Sequence, residues 1–285
     1  MKIIGVVSAY YPDLIELEKN INSYLPWIDY LIIWENTPKS ESNIDLLIQK
    51  VNNPKIEVRT TGKNEYLANP FNQCIRWAQT EGYTHVLTMD QDSFFKPTYF
   101  EQYIKIIENS TEDKVAAFGP NSCHRNEKGG EIVQVKYIFL SGAIFPIDSF
   151  LKLGCFDEKL LIDAIDTEFC LRSIDQKYKV LLLLPIYLDH EMGYRRKHWT
   201  GLTLVSYSAQ RTYYFIRNSL WLWKRFPENY ERQYQRSFVK YRIVYRALKL
   251  IFEPDTILKF SALVMALWHA HTGQLGRYDK FAKRK

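Results

Sequence analysis

Residues 84–93 read THVLTMDQDS, a run of strand-forming apolar residues that ends, without a spacer, in two aspartates two apart, Asp90 and Asp92. Val86, Leu87 and Met89 favour burial, whereas the acids need water, a cation or hydrogen-bond donors. The stretch therefore predicts a buried strand whose carboxyl end opens into a polar cleft. Upstream, KIIGVVSAYYP (2–12), IDYLIIWEN (28–36) and KIEVRTT (55–61) repeat the pattern of an apolar run closed by polar or turn residues. Each is followed by apolar residues at helical spacing, in LIELEKNINSYL (14–25), NIDLLIQKV (43–51) and NPFNQCIRWAQTEG (69–82), the last closed by Gly82. Strands alternating with helices predict a parallel, doubly wound sheet. In such sheets ligands bind beyond the carboxyl ends of the strands, where Glu35, Asn36, Asp90 and Asp92 fall.

Downstream the pattern becomes mixed. KVAAFGP (114–120), KYIFLSGAIFPI (136–147) and KVLLLLPIYLDH (179–190) predict strands, and DTEFCLRSIDQKY (166–178) a helix. From Trp199 aromatic and basic residues alternate in helical stretches broken near Pro227 and Pro254. The expected organisation is an α/β catalytic domain over residues 1–198, with a mixed, mainly parallel sheet covered by helices on both faces. A helical aromatic and basic appendage follows over 199–285.

A chain with 46% hydrophobic and 25% charged residues is neither disordered nor fibrous. Its four cysteines show no CxxC spacing, and no leader precedes the first strand, so a reduced, cytoplasmic protein is expected. The longest apolar run, residues 180–188, is too short to cross a bilayer and is interrupted by Pro185. Charge is divided unevenly: 19 Lys and Arg face 27 Asp and Glu up to residue 193, and 19 face 5 afterwards. Such a basic tail suits an anionic surface, whether lipid, nucleic acid or phosphorylated substrate. Rings and cations interleave in RTYYFIRNSLWLWKRFP (211–227) and ERQYQRSFVKYRIVYRALKLIF (231–252), which fits peripheral contact with an anionic membrane. A helix pair packed on the catalytic domain is the alternative, and nucleic acid is not an expected partner.

Two carboxylates leaving an apolar strand repel each other unless a hard cation or a donor set neutralises them. Mn2+ or Mg2+ bound through carboxylates and substrate phosphates fits Asp90 and Asp92, and an Asx-turn is the plainer reading. LIDAIDTEFCLR (161–172) sets Asp163, Asp166 and Glu168 ahead of Arg172: candidates for proton transfer, or for capping a helix. His190 closes a strand among polar neighbours and could complete a metal site. Arg195, Arg196 and Lys197 follow it as cations for a departing phosphate or as a solvated loop.

The ordered series VVSAYYP (6–12), IIWENT (32–37), GKNEYLANPFNQCI (62–75), VLTMDQDS (86–93), FLSGAIF (139–145), GCFDEKLLIDAIDTEFCLR (154–172) and LDHEMG (188–193) resembles the family 2 inverting glycosyltransferases of the GT-A fold, in their rhamnosyltransferase-like branch. The resemblance covers residues 1–195. It implies a GT-A type, Rossmann-like sheet, a nucleoside-diphosphate sugar donor, a saccharide or lipid-linked saccharide acceptor, and Mn2+ or Mg2+. Metal ligation is implied for Asp90, Asp92 and His190, with Asp92 the more direct ligand. Donor contacts are implied at Ala9, Tyr10, Glu35, Asn36, Asn64, Asn72, Asp90, Gln91, Ser141 and Gly142, with Asp166 as the base and Glu168 orienting it or the acceptor. Glu35 stands where the family usually has Asp, and Glu65 where it has Gly. A phosphatase-like enzyme using the D-x-D acids and a non-enzymatic carbohydrate or membrane-surface binder are the rival readings.

Overall fold

A computed structural model describes residues 1–122, 131–190, 195–197, 203–205, 207–250 and 253–281, with backbone only at 190, 195–197, 203–205 and 249. The chain divides into two compact units: residues 1–157 with 165–191, and residues 158–164 with 192–285. The expected boundary at 198/199 thus lies a few residues beyond the observed break. The short segment 158–164, inside the predicted catalytic domain, groups with the C-terminal unit.

The first unit begins with β1 (Ile3–Ala9), α1 (Leu14–Asn22), β2 (Tyr30–Glu35), α2 (Ile44–Val51), β3 (Ile56–Arg59), α3 (Ala68–Thr80) and β4 (His85–Asp90). Asp13 caps α1 by accepting from the amides of Ile15 and Glu16. Strands β3, β2, β1 and β4 pair in parallel in that spatial order. The chain moves outward from β1 to β3 and then returns to β1's other side, so a switch point lies between β1 and β4. Every residue of β1 is buried.

Then come β5 (Ser93–Phe95), α4 (Tyr99–Glu108), β6 (Val115–Pro120), β7 (Ile132–Gln134), β8 (Ile144–Pro146), α5 (Ile147–Leu153), α6 (Ile165–Asp175), β9 (Lys179–Leu183) and β10 (Leu188–His190). The main sheet runs β3-β2-β1-β4-β8-β6-β9-β7; β8 is antiparallel to both its neighbours, and β7 is antiparallel to β9. Two predicted strands are shorter than their apolar runs. KYIFLSGAIFPI forms ladder only at 144–146, because Gly142 turns the chain at φ +80°. KVLLLLPIYLDH splits at Pro185, which has no N–H for a ladder. Its second part, β10, pairs instead with β5, setting His190 opposite Ser93.

In the second unit, β11 (Arg195–Lys197) and β12 (Thr203–Val205) form a small ladder before α7 (Ala209–Arg225), α8 (Arg232–Phe238), a π-helical stretch Val239–Val244, α9 (Tyr245–Lys249) and α10 (Thr256–Thr272). Ser208 caps α7 through the Arg211 amide. The stretch 211–227, which composition suited to a membrane surface, supplies this unit's core: Tyr213, Tyr214, Ile216, Arg217, Asn218 and Leu222 are all buried. The Arg217 guanidinium donates to the carbonyls of Gly276 at 2.7 Å and Lys159 at 3.2 Å and to Asn218 Oδ1 at 2.9 Å, so its charge is buried with hydrogen-bond partners.

Asn218 Nδ2 lies 2.8–2.9 Å from the carbonyls of Leu160, Ile162 and Asp163. Leu161, Asp163 and Ala164 there hold positive φ of 66°, 58° and 66°, a conformation that non-glycine residues keep only when neighbours enforce it. Asn218→Leu removes the donor and strands buried acceptors, at about 1–3 kcal/mol for each one left unsatisfied. We expect a lower urea midpoint in equilibrium unfolding; an unchanged midpoint would show that the loop is held by other contacts.

Candidate active site

At the switch point the ends of β1 and β4 are tied by one side chain. Gln91 Oε1 accepts from the Tyr10 amide at 2.7 Å, and its Nε2 donates to the Tyr10 carbonyl at 3.4 Å. Asn20 Nδ2, from α1, holds the Gln91 carbonyl at 2.9 Å. Ala9 is buried while Tyr10 is 48% exposed, so the chain leaves the core between these two residues.

The ends of β2 and β3 are organised by buried polar groups. Asn36 Nδ2 donates to Ser8 Oγ at 2.9 Å and to the Tyr66 carbonyl at 2.7 Å, and its Oδ1 accepts from the Glu65 amide at 2.9 Å. Asn64 Oδ1 accepts from the Tyr66 amide, an Asx-turn that sets up Tyr66 at φ +60°. Glu35 is only 1% exposed; its two oxygens accept from the Thr37 amide at 2.7 Å and Ser42 Oγ at 3.0 Å. Asn72 lies within α3 and both donates to and accepts from the backbone of Phe156, at 2.9 and 3.0 Å. These bonds tie α3 to the chain before α6 and are met wholly inside the protein.

At the end of β4 Asp90 is half-buried, and Asp92 is exposed in the turn to β5. The backbone of His190 lies across the β5–β10 ladder from Ser93, the residue after Asp92. The side chains of His190 and of Arg195, Arg196 and Lys197 lie outside the described residues. Among the described residues no group of three or more His, Cys, Asp or Glu is set to hold a metal. The aspartate pair is a hard-oxygen donor set that fits Mn2+ or Mg2+ if an imidazole or phosphate oxygens complete the shell.

The segment Leu140–Gly142 joins these acids to Asp166. Ser141 Oγ accepts from the Asp90 amide at 3.1 Å, the Gly142 amide donates to the Thr88 carbonyl at 2.8 Å, and the Leu140 amide donates to Asp166 Oδ2 at 3.2 Å. Thr88, fully buried within β4, donates its hydroxyl to the Leu140 carbonyl. The sequence reading passed over Thr88, whose signal was a polar residue inside an apolar strand.

Asp166 lies in the first turn of α6 and also accepts from the Thr167 amide at 2.7 Å. Burial lifts its carboxyl above the ordinary aspartate range, outweighing the Thr167 and Leu140 amides that favour the anion. Glu168, two residues on, turns elsewhere: Arg172 Nε and Nη2 bind its oxygens at 2.8 and 2.9 Å. The same guanidinium also donates to the carbonyls of Leu153, Gly154 and Cys155. Phe169 packs within 5.0–5.5 Å, ring to ring, of Phe145, Phe150 and Phe156. Glu168 and Phe169 therefore anchor α6, while Asp166 stays beside Leu140. Asp163 belongs to the second unit, with its carboxylate 3.7 Å from Arg211 Nε.

Residues 34–151 match the glycosyl transferase family 2 model. The matched span is under half of the chain. It contains the D-x-D acids and the Leu140–Gly142 segment, and Asp166 lies just after it. The dTDP-rhamnosyl transferase RfbF of Shigella flexneri is 24% identical over 248 residues, covering 78% of this chain and 80% of that protein. A solved structure of GalNAc-T7 with UDP, GalNAc and Mn2+ superposes with a TM-score of 0.59 at 11% identity, over 79% of this chain. The chain spans 48% of the length of that structure, and the likeness is one of fold. The mixed, mainly parallel GT-A type sheet with a C-terminal helical region is thus the fold found, and sugar transfer is the activity that the family 2 match and the rhamnosyl transferase relative support.

A Cβ on Gly142 would stand 2.7 Å from Pro120 Cγ and 2.8 Å from Leu188 Cδ2, in a backbone conformation that already disfavours a side chain. Gly142→Ala should therefore cost about 1–3 kcal/mol of stability from overpacking alone. Chemical denaturation measures this, and a substitution without cost would mean that the segment yields easily.

Proposed function

We propose that this protein is a metal-dependent, inverting glycosyltransferase that moves a sugar, rhamnose first among candidates, from a nucleoside-diphosphate donor to an acceptor hydroxyl. The acceptor would be a saccharide or lipid-linked saccharide in polysaccharide, O-antigen or glycolipid synthesis of the bacterial type. The observation that carries this reading is the hydrogen-bonded path Asp90–Ser141–Leu140–Asp166, which couples an acid pair suited to a diphosphate–metal unit with a carboxylate made more basic by burial. Likeness to a dTDP-rhamnosyl transferase favours rhamnose, and a fold neighbour holding UDP, GalNAc and Mn2+ favours a nucleotide sugar and a divalent ion.

In this reading Ala9, Tyr10, Asn36, Asn64 and Gln91 shape the nucleoside side of the cleft, and Ser141 and Gly142 bring backbone close to the donor sugar. Glu35 would reach the ribose only by exchanging its bonds to Thr37 and Ser42. A Mn2+ or Mg2+ ion held by Asp92, with Asp90 and His190 beside it, would supply positive charge for the departing diphosphate. Ionised Asp166 takes the acceptor proton as the acceptor oxygen bonds to the anomeric carbon from the face opposite the diphosphate. The electron pair of the broken bond leaves with the nucleoside diphosphate, so the anomeric centre inverts without a covalent enzyme intermediate. Glu168 positions α6 through Arg172, and Asn72 steadies α3 beneath the cleft.

Asp166→Asn cannot accept the proton, so turnover should fall roughly 10²–10⁴-fold while donor binding holds; full transfer by this variant would remove Asp166 as base. Because the wild-type base must be ionised and its pKa is raised, activity should be lost as pH falls through a value above the ordinary aspartate range. A plot of log kcat/KM against pH reads that acid limb. Calorimetric titration with a nucleoside diphosphate should show tight binding with Mn2+ and weak binding with a chelator. Equal affinity in both would take the metal out of the reaction.

A further inference from the structure

Helix α10 is apolar on two sides. Lys259, Ala262, Leu263, Ala266, His269 and Ala270 form its buried face within the second unit. Ile257, Phe260, Val264, Leu267 and Trp268 recur at the same three- and four-residue spacing on the other side, exposed by 84, 52, 48, 36 and 60%. Soluble helices ordinarily show water a polar stripe. Here the only Lys, Arg, Asp or Glu of the helix is Lys259, which is buried against Glu253 at 2.7 Å, so the outward stripe contains none of these residues.

The preceding helices carry the complementary feature. Arg232, Arg236, Lys240 and Arg242 are exposed, with the rings of Tyr234, Tyr241 and Tyr245 exposed among them. No acidic residue occurs between Glu231 and Glu253. Packing beneath them is settled internally: Phe238 meets Phe215 at 5.8 Å and Trp223 at 5.0 Å between ring centroids, and Arg246 turns inward to Thr212. Of the outward groups, Tyr234 and Arg242 also touch α7, 6.5 Å from the Trp223 ring and 5.8 Å from the Phe215 ring.

We propose that these two surfaces dock the protein on an anionic lipid bilayer, with the outer stripe of α10 entering the acyl boundary and the cations of α8 and the π-helical stretch meeting lipid phosphates. Apolar residues, interfacial tyrosines and unneutralised cations on consecutive helices are the three contributions that hold a protein in the interfacial plane. No described helix is long and apolar enough to cross a membrane, so α10 lies along the surface. A second copy is the poorer occupant by charge, because a self-complementary contact would set these cations against their own counterparts. This docking goes beyond the sugar-transfer reading and does not depend on it.

The test is sedimentation of the full chain with vesicles of phosphatidylcholine alone, or mixed with phosphatidylglycerol. Binding should require phosphatidylglycerol and weaken with salt. Phe260→Ser with Trp268→Ser, and separately Arg236→Gln with Lys240→Gln and Arg242→Gln, should each lower the partition coefficient by about tenfold or more, with far-UV circular dichroism unchanged. Nucleoside-diphosphate binding in the same variants should match the parent, which separates failure of docking from failure of the transferase reading. The proposal is overturned by equal partition to both vesicle types, by no partition, or by variants that bind like the parent. A monomer–dimer equilibrium abolished by Phe260→Ser, with no vesicle binding, would assign the α10 face to a second copy.

Discussion

Leu140, Ser141 and Gly142 direct their polar groups three ways at once: to Asp166, to the Asp90 amide and to the Thr88 carbonyl. A regular strand cannot do this, since its amides alternate between two neighbours in one plane. Gly142 at φ +80° breaks that alternation, and the crowding of Pro120 and Leu188 around it leaves no room for another residue. The distance between the D-x-D turn and the acid of α6 is therefore set partly by the sheet core, through Pro120 and Leu188 packed around Gly142.

The first turn of α6 shows how environment divides two acids. Glu168 is buried with a bidentate arginine, and Arg172 is in turn held by three carbonyls, so the pair serves as an anchor. Breaking one partner of such a pair strands a buried charge, which is far costlier than losing the pair together. Asp166 is held by amides and a hydroxyl, and its burial raises its basicity. Within a single helical turn one acid is tied to an arginine and the other to amides and a hydroxyl.

The basic C-terminal unit resolves in a similar way into interior and surface. Arg217 is fully buried, with carbonyl and amide oxygens for its guanidinium and the rings of Tyr213 and Tyr214 at 5.2 and 4.8 Å from it. Its neighbour Asn218 gathers the carbonyls of a loop in left-handed conformation. Net charge thus overstates the cationic surface of this unit, and α8 with the π-helical stretch after it presents four exposed cations, Arg232, Arg236, Lys240 and Arg242.

The alternation of strands and helices up to Asp90, the polar strand ends and the ordered motifs were legible in the sequence, because periodicity and turn residues are local properties. That the D-x-D acids end a buried strand could be read from THVLTMD alone. Which acid of IDAIDTE would join Leu140 and which would pair with Arg172 could not, since Asp166 and Glu168 differ only in what other segments bring to them: Leu140 to one, the 153–155 carbonyls by way of Arg172 to the other. Asn72 and Glu35 carried side chains suited to a ligand, yet folding gave them partners at Phe156 and at Thr37 and Ser42. The tail's composition suggested a membrane surface for both 211–227 and 231–252, yet much of 211–227 is core, because aromatic and basic residues look alike in a core and at an interface. Local pattern determined the elements and their order; only tertiary packing, by bringing distant partners to each polar and apolar group, decided which side chains hold the fold together.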